Sequence, residues 1–325
     1  MPSSISNSEM RPATRAIAWL LLGLLIYCAG LEAVTRLGLS RISSVQKRIS
    51  QDLDAGRSLL PRAANGWSTV LVVGNSLLLE GVDRESLKEL MAPKYSVAVL
   101  PIENTQFEDW YFGLRRLFQE GSRPSTVVVC LTAGQMLSRS TDGEYFAYYL
   151  MQERDLLAVK RESRLDNTIT SDYFFANHSK WMGSRTTIRN WLSQRIMPNL
   201  DPLMGYFPGK TPPLPKKEQV VASIVPKLAA LDQLCKLNGA TLVVVIPPPL
   251  IENDVSFDLQ ESATLEGISV VIPLHSSDLT PEDFRDGFHL NQKGAPIFTA
   301  HLASELLWVL DVRGVRQRRA PAFAK

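Results

Sequence analysis

Three short apolar runs limit what this chain can fold into. They are Thr69–Val73, Thr126–Leu131 and Thr241–Ile246, and each is rich in valine with no polar residue after its first threonine. Gly74 ends the first run and three consecutive prolines follow the third. Uninterrupted β-branched runs of this length are typical of parallel strands that are buried on both faces. The sequence therefore predicts a sheet enclosed between two layers of helices.

Segments with helical periodicity separate these runs. The predicted helices are Asp83–Met91, Phe107–Gln119, Lys216–Asn238 and Gln292–Leu310, and two further strands are predicted at Tyr95–Ile102 and Ile268–Ile272. Strands that alternate with helices predict an α/β three-layer sandwich with a parallel five-stranded sheet. Ligand sites in such folds lie at the carboxyl ends of the strands. Residues that directly follow a strand are therefore the first candidates for function.

A strongly apolar segment precedes the predicted domain. No charged residue occurs from Ala16 to Leu31, a stretch that would span about 24 Å as a helix. Extension to Thr35 gives the roughly 20 residues that cross a bilayer, with Glu32 near the interface and residues 1–15 as a tail. A cleaved signal peptide is the alternative. We favour an uncleaved transmembrane anchor over residues 16–35, because no small-x-small cleavage site follows the run.

Two distant segments contain the residues of a nucleophilic site. Ser76 stands at the predicted sharp exit of the first strand, and Asp286 precedes His289 by three residues, just ahead of the last helix. A serine hydroxyl needs an adjacent base at neutral pH, and an imidazole supplies one. Asp286 can hold that imidazole in the correct tautomer. Together they indicate the nucleophile, general base and orienting carboxylate of a hydrolase or acyltransferase.

The order and spacing of these residues resemble the SGNH (GDSL-type) hydrolase superfamily, whose serine opens the domain and whose Asp-x-x-His closes it. The resemblance implies a flavodoxin-like SGNH fold over residues 68–312, with a helical insertion at about 135–212. Asn75 stands where that family commonly has aspartate. Residues 36–67 are predicted as a juxtamembrane linker or helix, and residues 313–325 as a basic tail.

The resemblance also implies an oxyanion hole, and here the sequence departs from the family. The expected donors are the serine amide, a glycine amide after the second strand and an asparagine side chain after the third. Residues 101–105 contain no glycine, so the Asn104 or Thr105 backbone is the candidate donor there, and Gln135 is the amide side chain nearest to the asparagine position. Ser76, Thr105, Asn104 and Gln135 are therefore the predicted oxyanion-hole residues.

Composition excludes several other classes. The net charge of +2 and the scattered basic residues do not favour a nucleic-acid partner. Three cysteines without a CxxC or Cys/His cluster predict neither a disulfide framework nor a metal site, and no cofactor is expected. The insertion is rich in aromatic residues. It is interpreted as a helical cap on the core, or alternatively as a lid that faces glycan, lipid or a protein partner.

These features predict a membrane-anchored serine esterase or acyltransferase that acts on acyl esters, in particular acetyl esters, of a cell-envelope or exported polysaccharide. Anchored proteins of the resembled family accompany polytopic membrane O-acyltransferases, which are thus an expected partner. The catalytic domain is expected on the extracytoplasmic side of the inner (cytoplasmic) membrane, behind a single span. Two alternatives stay open: a non-catalytic glycan- or partner-binding subunit, and a lipase or lysophospholipase.

Overall fold

The computed structural model describes residues 12–196, 216–248 and 255–319. Its centre is a sheet of five strands, all parallel: β1 (Ser68–Gly74), β2 (Tyr95–Pro101), β3 (Thr126–Cys130), β4 (Thr241–Val245) and β5 (Ser269–Val271). The strand order is β2-β1-β3-β4-β5. The predicted five-stranded parallel sheet is confirmed, and β1 lies inside it between β2 and β3.

The helices precede, connect and follow these strands. They are α1 (Pro12–Ile42), α2 (Ser44–Arg57), α3 (Ser76–Gly81), α4 (Arg84–Met91), α5 (Phe107–Gln119), α6 (Ala133–Leu137), α7 (Gly143–Tyr149), α8 (Leu156–Glu162), α9 (Asn167–His178), α10 (Lys180–Ile196), α11 (Lys217–Leu237), α12 (Ser256–Leu265) and α13 (Gly294–Arg319). Short 3₁₀ turns occur at Glu153–Asp155, Ser276–Asp278 and Pro281–Asp283.

The sheet separates two hydrophobic cores. Successive side chains of a strand point to opposite faces, so Val70 and Val72 pack on one side with Phe298 of α13. Leu71 and Val73 pack on the other side with Trp110 of α5. The four strand residues are fully buried, which explains why the runs show no polar alternation. The three-layer α/β sandwich is thereby confirmed.

Among the described residues, two helices are long and apolar enough to cross a membrane. The first, Thr14–Leu39 within α1, has none of its most apolar window buried, and it is a candidate membrane span or signal sequence. The second, Gly294–Val312 within α13, is partly buried. Phe298, Leu302 and Leu306 are completely buried in the core. The second segment is therefore explained as a core helix of the α/β domain.

The α1 helix continues past the predicted end of the span and meets the folded domain. Glu32 accepts hydrogen bonds from Ser179 Oγ at 2.8 Å and from the backbone N–H groups of Lys180 and Trp181 at 3.0 Å. These donors lie at the start of α10, where N–H groups have no partner inside the helix. Glu32 thus fixes the apolar helix to the α/β domain.

Helices α7 to α10 form the described part of the insertion. Phe146, Tyr149 and Tyr173 are buried there, whereas Phe174 and Phe175 are exposed. Residues 197–215, which include the end of the predicted insertion, lie outside the described residues.

Helical structure extends into both predicted tails where they are described. Helix α1 begins at Pro12, and α13 continues to Arg319. The predicted boundaries between these tails and the rest of the chain stay a prediction. Residues 1–11 and 320–325 lie outside the described part.

Candidate active site

The loops after three neighbouring strands meet at one edge of the sheet. Gly74, the last residue of β1, lies in register with Pro101 of β2 and with Cys130 of β3. The chain segments that follow these three residues therefore emerge side by side. Ser76 follows the central strand of the three, so the loops after β2 and β3 flank it.

A tight turn positions Ser76 at the first residue of α3. A Cβ atom on Gly74 would lie 2.7 Å from the carbonyl oxygen of Cys130 and 3.0 Å from Leu78 Cβ, so only glycine fits there. Asn75 is the N-cap of α3, and its Oδ1 accepts from the N–H of Leu77 at 3.1 Å. Strand packing and the asparagine cap together place Ser76 at the carboxyl edge.

The structure brings the three predicted nucleophilic-site residues together. Nε2 of His289 lies 3.0 Å from Ser76 Oγ, and Nδ1 of His289 lies 2.8 Å from Asp286 Oδ2. An ionised carboxylate can only accept, so the neutral imidazole carries its proton on Nδ1 and leaves Nε2 to accept the Ser76 hydroxyl proton. This is the tautomer that a general base requires.

The segment that contains Asp286 and His289 is a short, self-bonded turn. Phe284 and Leu290 form an antiparallel bridge, and the N–H of Arg285 donates to the His289 carbonyl at 2.8 Å. Gly287 has a φ of 79°, in the left-handed region that favours glycine. Oδ1 of Asp286 accepts from the N–H of His289 at 2.8 Å. One oxygen of Asp286 thus holds the turn, and the other holds the imidazole.

Hydrogen bonds keep Asp286 ionised. Burial opposes ionisation, but it is outweighed by hydrogen bonds from the backbone and ring of His289 and from the N–H of Phe288. These hold the pKa of Asp286 well below its usual range. Arg285 assists, with its guanidinium 3.2 Å from Asp286 Oδ2 and 2.5 Å from Glu80 on α3. Sequence reasoning missed Arg285, because its partner Glu80 comes from a segment more than two hundred residues earlier.

In the loop after β2, where a glycine was expected, Asn104 adopts a backbone conformation typical of glycine. Asn104 has a φ of 61°, the left-handed conformation that glycine adopts most easily and that asparagine tolerates better than most residues. The Thr105 hydroxyl donates to the Ile102 carbonyl at 2.6 Å and accepts from the Trp110 indole at 3.0 Å. The side chain of Thr105 is therefore structural, and its hydroxyl is not available to an oxyanion.

Gln135 lies in the first turn of α6, after β3. Its Oε1 accepts from the N–H of Thr132 at 2.9 Å, and its own N–H donates to the Thr132 hydroxyl at 3.3 Å. This reciprocal capping box fixes the side chain. Among the described residues Nε2 of Gln135 has no hydrogen-bond partner, and neither Gln135 nor Asn104 bonds to Ser76 or His289. The role of these residues as oxyanion donors stays a prediction.

No known family model matches this chain, and no curated protein does. Among solved structures, it is similar to TesA, with 14% identity and a TM-score of 0.37, over 72% of this chain and 96% of that one. It is also similar to a GDSL-like lipase from Bacteroides thetaiotaomicron, with 12% identity and a TM-score of 0.40, over 82% of this chain and 99% of that one.

Proposed function

We propose that this protein is a membrane-anchored serine esterase or acyltransferase that acts on acyl esters, in particular acetyl esters, of an exported polysaccharide. The observation that carries the proposal is the continuous hydrogen-bonded series from Ser76 through His289 to Asp286, at 3.0 and 2.8 Å. The resemblance of the Ser76 and Asp286–His289 segments to SGNH hydrolases supports the same chemistry.

The proposed reaction begins at Ser76. Its oxygen attacks the acyl carbonyl carbon while Nε2 of His289 takes the hydroxyl proton, and the carbonyl electrons move to the oxygen. Asp286 stabilises the imidazolium that results. When the intermediate collapses, the bond to the alcohol oxygen breaks and His289 returns the proton to the leaving alcohol. The acyl group stays on Ser76 as an ester.

The second half of the reaction decides between hydrolysis and transfer. Water or a sugar hydroxyl gives its proton to Nε2 of His289 and attacks the Ser76 ester, and the released Ser76 oxygen takes the proton back. Both outcomes use the same residues, so the acceptor alone distinguishes an esterase from a transferase.

The surroundings of these residues favour a polar, extended substrate over a lipid chain. The Asp286 side chain is 43% exposed and that of His289 is 19% exposed, so the site opens to solvent. A neighbouring cavity of about 540 Å³ is bordered both by charged side chains, among them Glu80 and Arg285, and by apolar ones, among them Val82 and Leu290. A lysophospholipase would need an apolar channel for the acyl chain. The anchor would place this site beside a membrane, where exported polymers emerge.

A serine-directed probe tests the proposal. The full chain, reconstituted in nanodiscs, is treated with a fluorophosphonate, and the adduct is mapped by mass spectrometry. We expect a single adduct on Ser76, with p-nitrophenyl acetate hydrolysis lost in both Ser76→Ala and His289→Ala. Labelling elsewhere, or unchanged hydrolysis by Ser76→Ala, would refute the assignment. Transfer is then measured as acetyl appearing on an added oligosaccharide.

A further inference from the structure

A second cavity, of about 490 Å³, lies between the loop after β2 and the insertion. Helix α2, the start of α7 and helix α10 contribute its other walls. The lining residues combine carboxyl, amide and hydroxyl groups with apolar surface of similar extent, and those used below are Val45, Glu103, Asn104, Asp142, Glu144 and Tyr145. We call it the insertion cavity.

One wall of the insertion cavity is bonded to the residues that precede Ser76. The N–H of Ile102 donates to the Gly74 carbonyl at 2.9 Å. Nδ2 of Asn75 donates to the Thr105 carbonyl at 3.1 Å. Residues 102–104 line the cavity, so the loop that forms this wall also contacts the turn that presents Ser76. A ligand in the insertion cavity would therefore contact the loop that is hydrogen-bonded to the turn before Ser76.

The carboxylates of the insertion cavity are largely neutralised. Glu103 pairs with Arg48 at 2.5 Å, and Glu144 pairs with Arg185. Asp142 has no cationic partner among the described residues. Burial, followed by the nearby charges of Glu103 and Glu144, raises its pKa to about 7. The lining thus carries at most the single uncompensated charge of Asp142, which does not favour a strongly charged ligand.

The same groups are not arranged for a metal ion. In the described part of the chain no three histidine, cysteine or acidic side chains converge closely enough to hold a cation. Arg48 and Arg185 occupy positions beside two of the three carboxylates. A divalent cation would have to displace both guanidinium groups to gain the oxygen ligands that it needs.

Several polar groups of the insertion cavity have no partner within the described residues. The Tyr145 hydroxyl is buried and unpaired, although buried polar atoms nearly always form hydrogen bonds. The side chains of Asn104 and Asp142 also make no hydrogen bond there. Val45, which is 45% exposed, supplies apolar surface next to them. Unpaired donors and acceptors beside apolar surface match a sugar ring, which has hydroxyl groups at its edge and C–H groups on its faces.

We propose that the insertion cavity is a subsite for a neutral sugar unit, held by Asn104, Asp142 and Tyr145 next to Ser76. The inference rests on the proposed function, because it identifies the carbohydrate class for the same site. It gives the helical insertion a specific function, since α7 and α10 supply six of the fourteen lining residues. The bound sugar would orient a neighbouring hydroxyl or its ester toward Ser76.

Binding is measured on the Ser76→Ala chain, so that no turnover complicates it. The protein is held in nanodiscs, because sugar-based detergents would compete. Isothermal titration compares three tetramers: chitotetraose, which is neutral; tetragalacturonate, which is anionic; and the glucosamine tetramer, which is cationic. We expect binding of chitotetraose in preference to both charged tetramers. Tyr145→Phe and Asp142→Ala should each weaken it about tenfold, the effect of one hydrogen bond lost at a buried group.

Tyr148→Phe is the matched control, since Tyr148 lies on the same helix but lines a different cavity; its binding should equal that of Ser76→Ala alone. Preference for a charged tetramer, no binding of any tetramer, or equal loss in Tyr148→Phe overturns the subsite. Failure of the two proposals is distinguishable. A Ser76 adduct without sugar binding removes the subsite alone, and sugar binding without a Ser76 adduct removes the catalytic role alone.

Discussion

Asn75 donates from Nδ2 to the carbonyl oxygen of Thr105 at 3.1 Å, and this bond joins the turn before Ser76 to the loop after β2. Both residues are buried, with 1% and 0% of their surfaces exposed. The partner is a carbonyl and therefore demands a donor, which an ionised aspartate cannot provide. Asn75 stands where the resembled family commonly has aspartate, and its amide supplies the donor that the Thr105 carbonyl requires.

We predict that Asn75→Asp destabilises the fold by about 1–3 kcal/mol, because it places a carboxylate against a buried carbonyl and removes a satisfied hydrogen bond. Thermal unfolding of the full chain measures the effect. Asn65→Asp is the control, since Asn65 is exposed and its Oδ1 accepts from the N–H of Trp67, a bond that a carboxylate can also accept. Equal melting temperatures for the two variants would show that the Asn75 amide donor has no structural value.

Asp286→Asn should reduce the rate constant for ester hydrolysis by about 10²–10⁴-fold, with little change in stability. An amide can present its NH₂ group to the imidazole and stabilise the wrong tautomer. Arg285→Gln should cost less than about tenfold, because Asp286 keeps its hydrogen bonds from the N–H groups of Phe288 and His289. Steady-state kinetics with p-nitrophenyl acetate compare the two. A larger loss in Arg285→Gln would assign the orienting role to the guanidinium.

Gly74→Ala should be severely destabilising. Its Cβ would lie 2.7 Å from a backbone oxygen of β3, which cannot move without breaking the sheet. A cost of several kcal/mol is expected, in the range of overpacked core positions. Gly134→Ala is the control: its Cβ would meet only Thr132 Oγ1, at 3.9 Å, and alanine favours a helix. A folded Gly74→Ala chain with an unchanged melting temperature would contradict the proposed packing of the turn.

The sequence predicts those parts of the site that depend on local patterns. Valine-rich runs predicted three of the five strands, and the three-residue spacing of Asp286 and His289 predicted their contact with each other. The sequence could not show that Thr105 uses its hydroxyl for Ile102 and Trp110, or that Arg285 pairs with Glu80. These contacts depend on the register of strands and on the angles between helices, which residue spacing does not encode.

A buried carboxylate on α5 is hydrogen-bonded to the start of the insertion, and no sequence motif predicts this contact. Asp109 is completely buried on α5, and its two oxygens accept from the N–H groups of Gln106 and Asp142 at 2.7 and 2.9 Å. It therefore joins the loop after β2 to the first residues of the insertion. Burial raises the pKa of Asp109 well above its usual range, although these two hydrogen bonds oppose the rise.

Asp142 should make the fold less stable as the pH rises. Its pKa is raised from 3.8 to about 7 by burial and by Glu103 and Glu144, so the folded state favours the protonated form. The cost is absent below about pH 4, grows between about pH 4 and 7, and is constant above that range. Asp142→Asn should therefore match the wild type at pH 4 and exceed its stability at pH 8 by on the order of 2 kcal/mol.

Melting temperatures across this pH range measure the difference. The raised pKa of Asp109 also makes the wild type less stable as the pH rises. Only the difference in stability between the wild type and Asp142→Asn therefore isolates the effect of Asp142. Asp258→Asn is the control, because its exposed carboxylate pairs only weakly with Lys217, at 3.4 Å. A difference that is independent of pH would mean that Asp142 ionises normally in the folded protein.

If α1 is a membrane anchor, cysteine labelling should show both the span and the side of the membrane on which the α/β domain lies. Cys28 on α1 is exposed on the protein surface, whereas Cys130 and Cys235 are buried. If residues 16–35 cross a bilayer, lipid covers Cys28, and a membrane-impermeant maleimide should leave the native chain unlabelled in intact spheroplasts. A cysteine placed at Leu265, which is 84% exposed on the α/β domain, should be labelled from outside.

Labelling of Leu265→Cys only after lysis would place the domain in the cytoplasm. The exported-polysaccharide proposal would then fail, since the site could not meet its substrate. Labelling of Cys28 in intact spheroplasts would instead exclude the span, because a bilayer around α1 would keep the impermeant reagent away from this side chain.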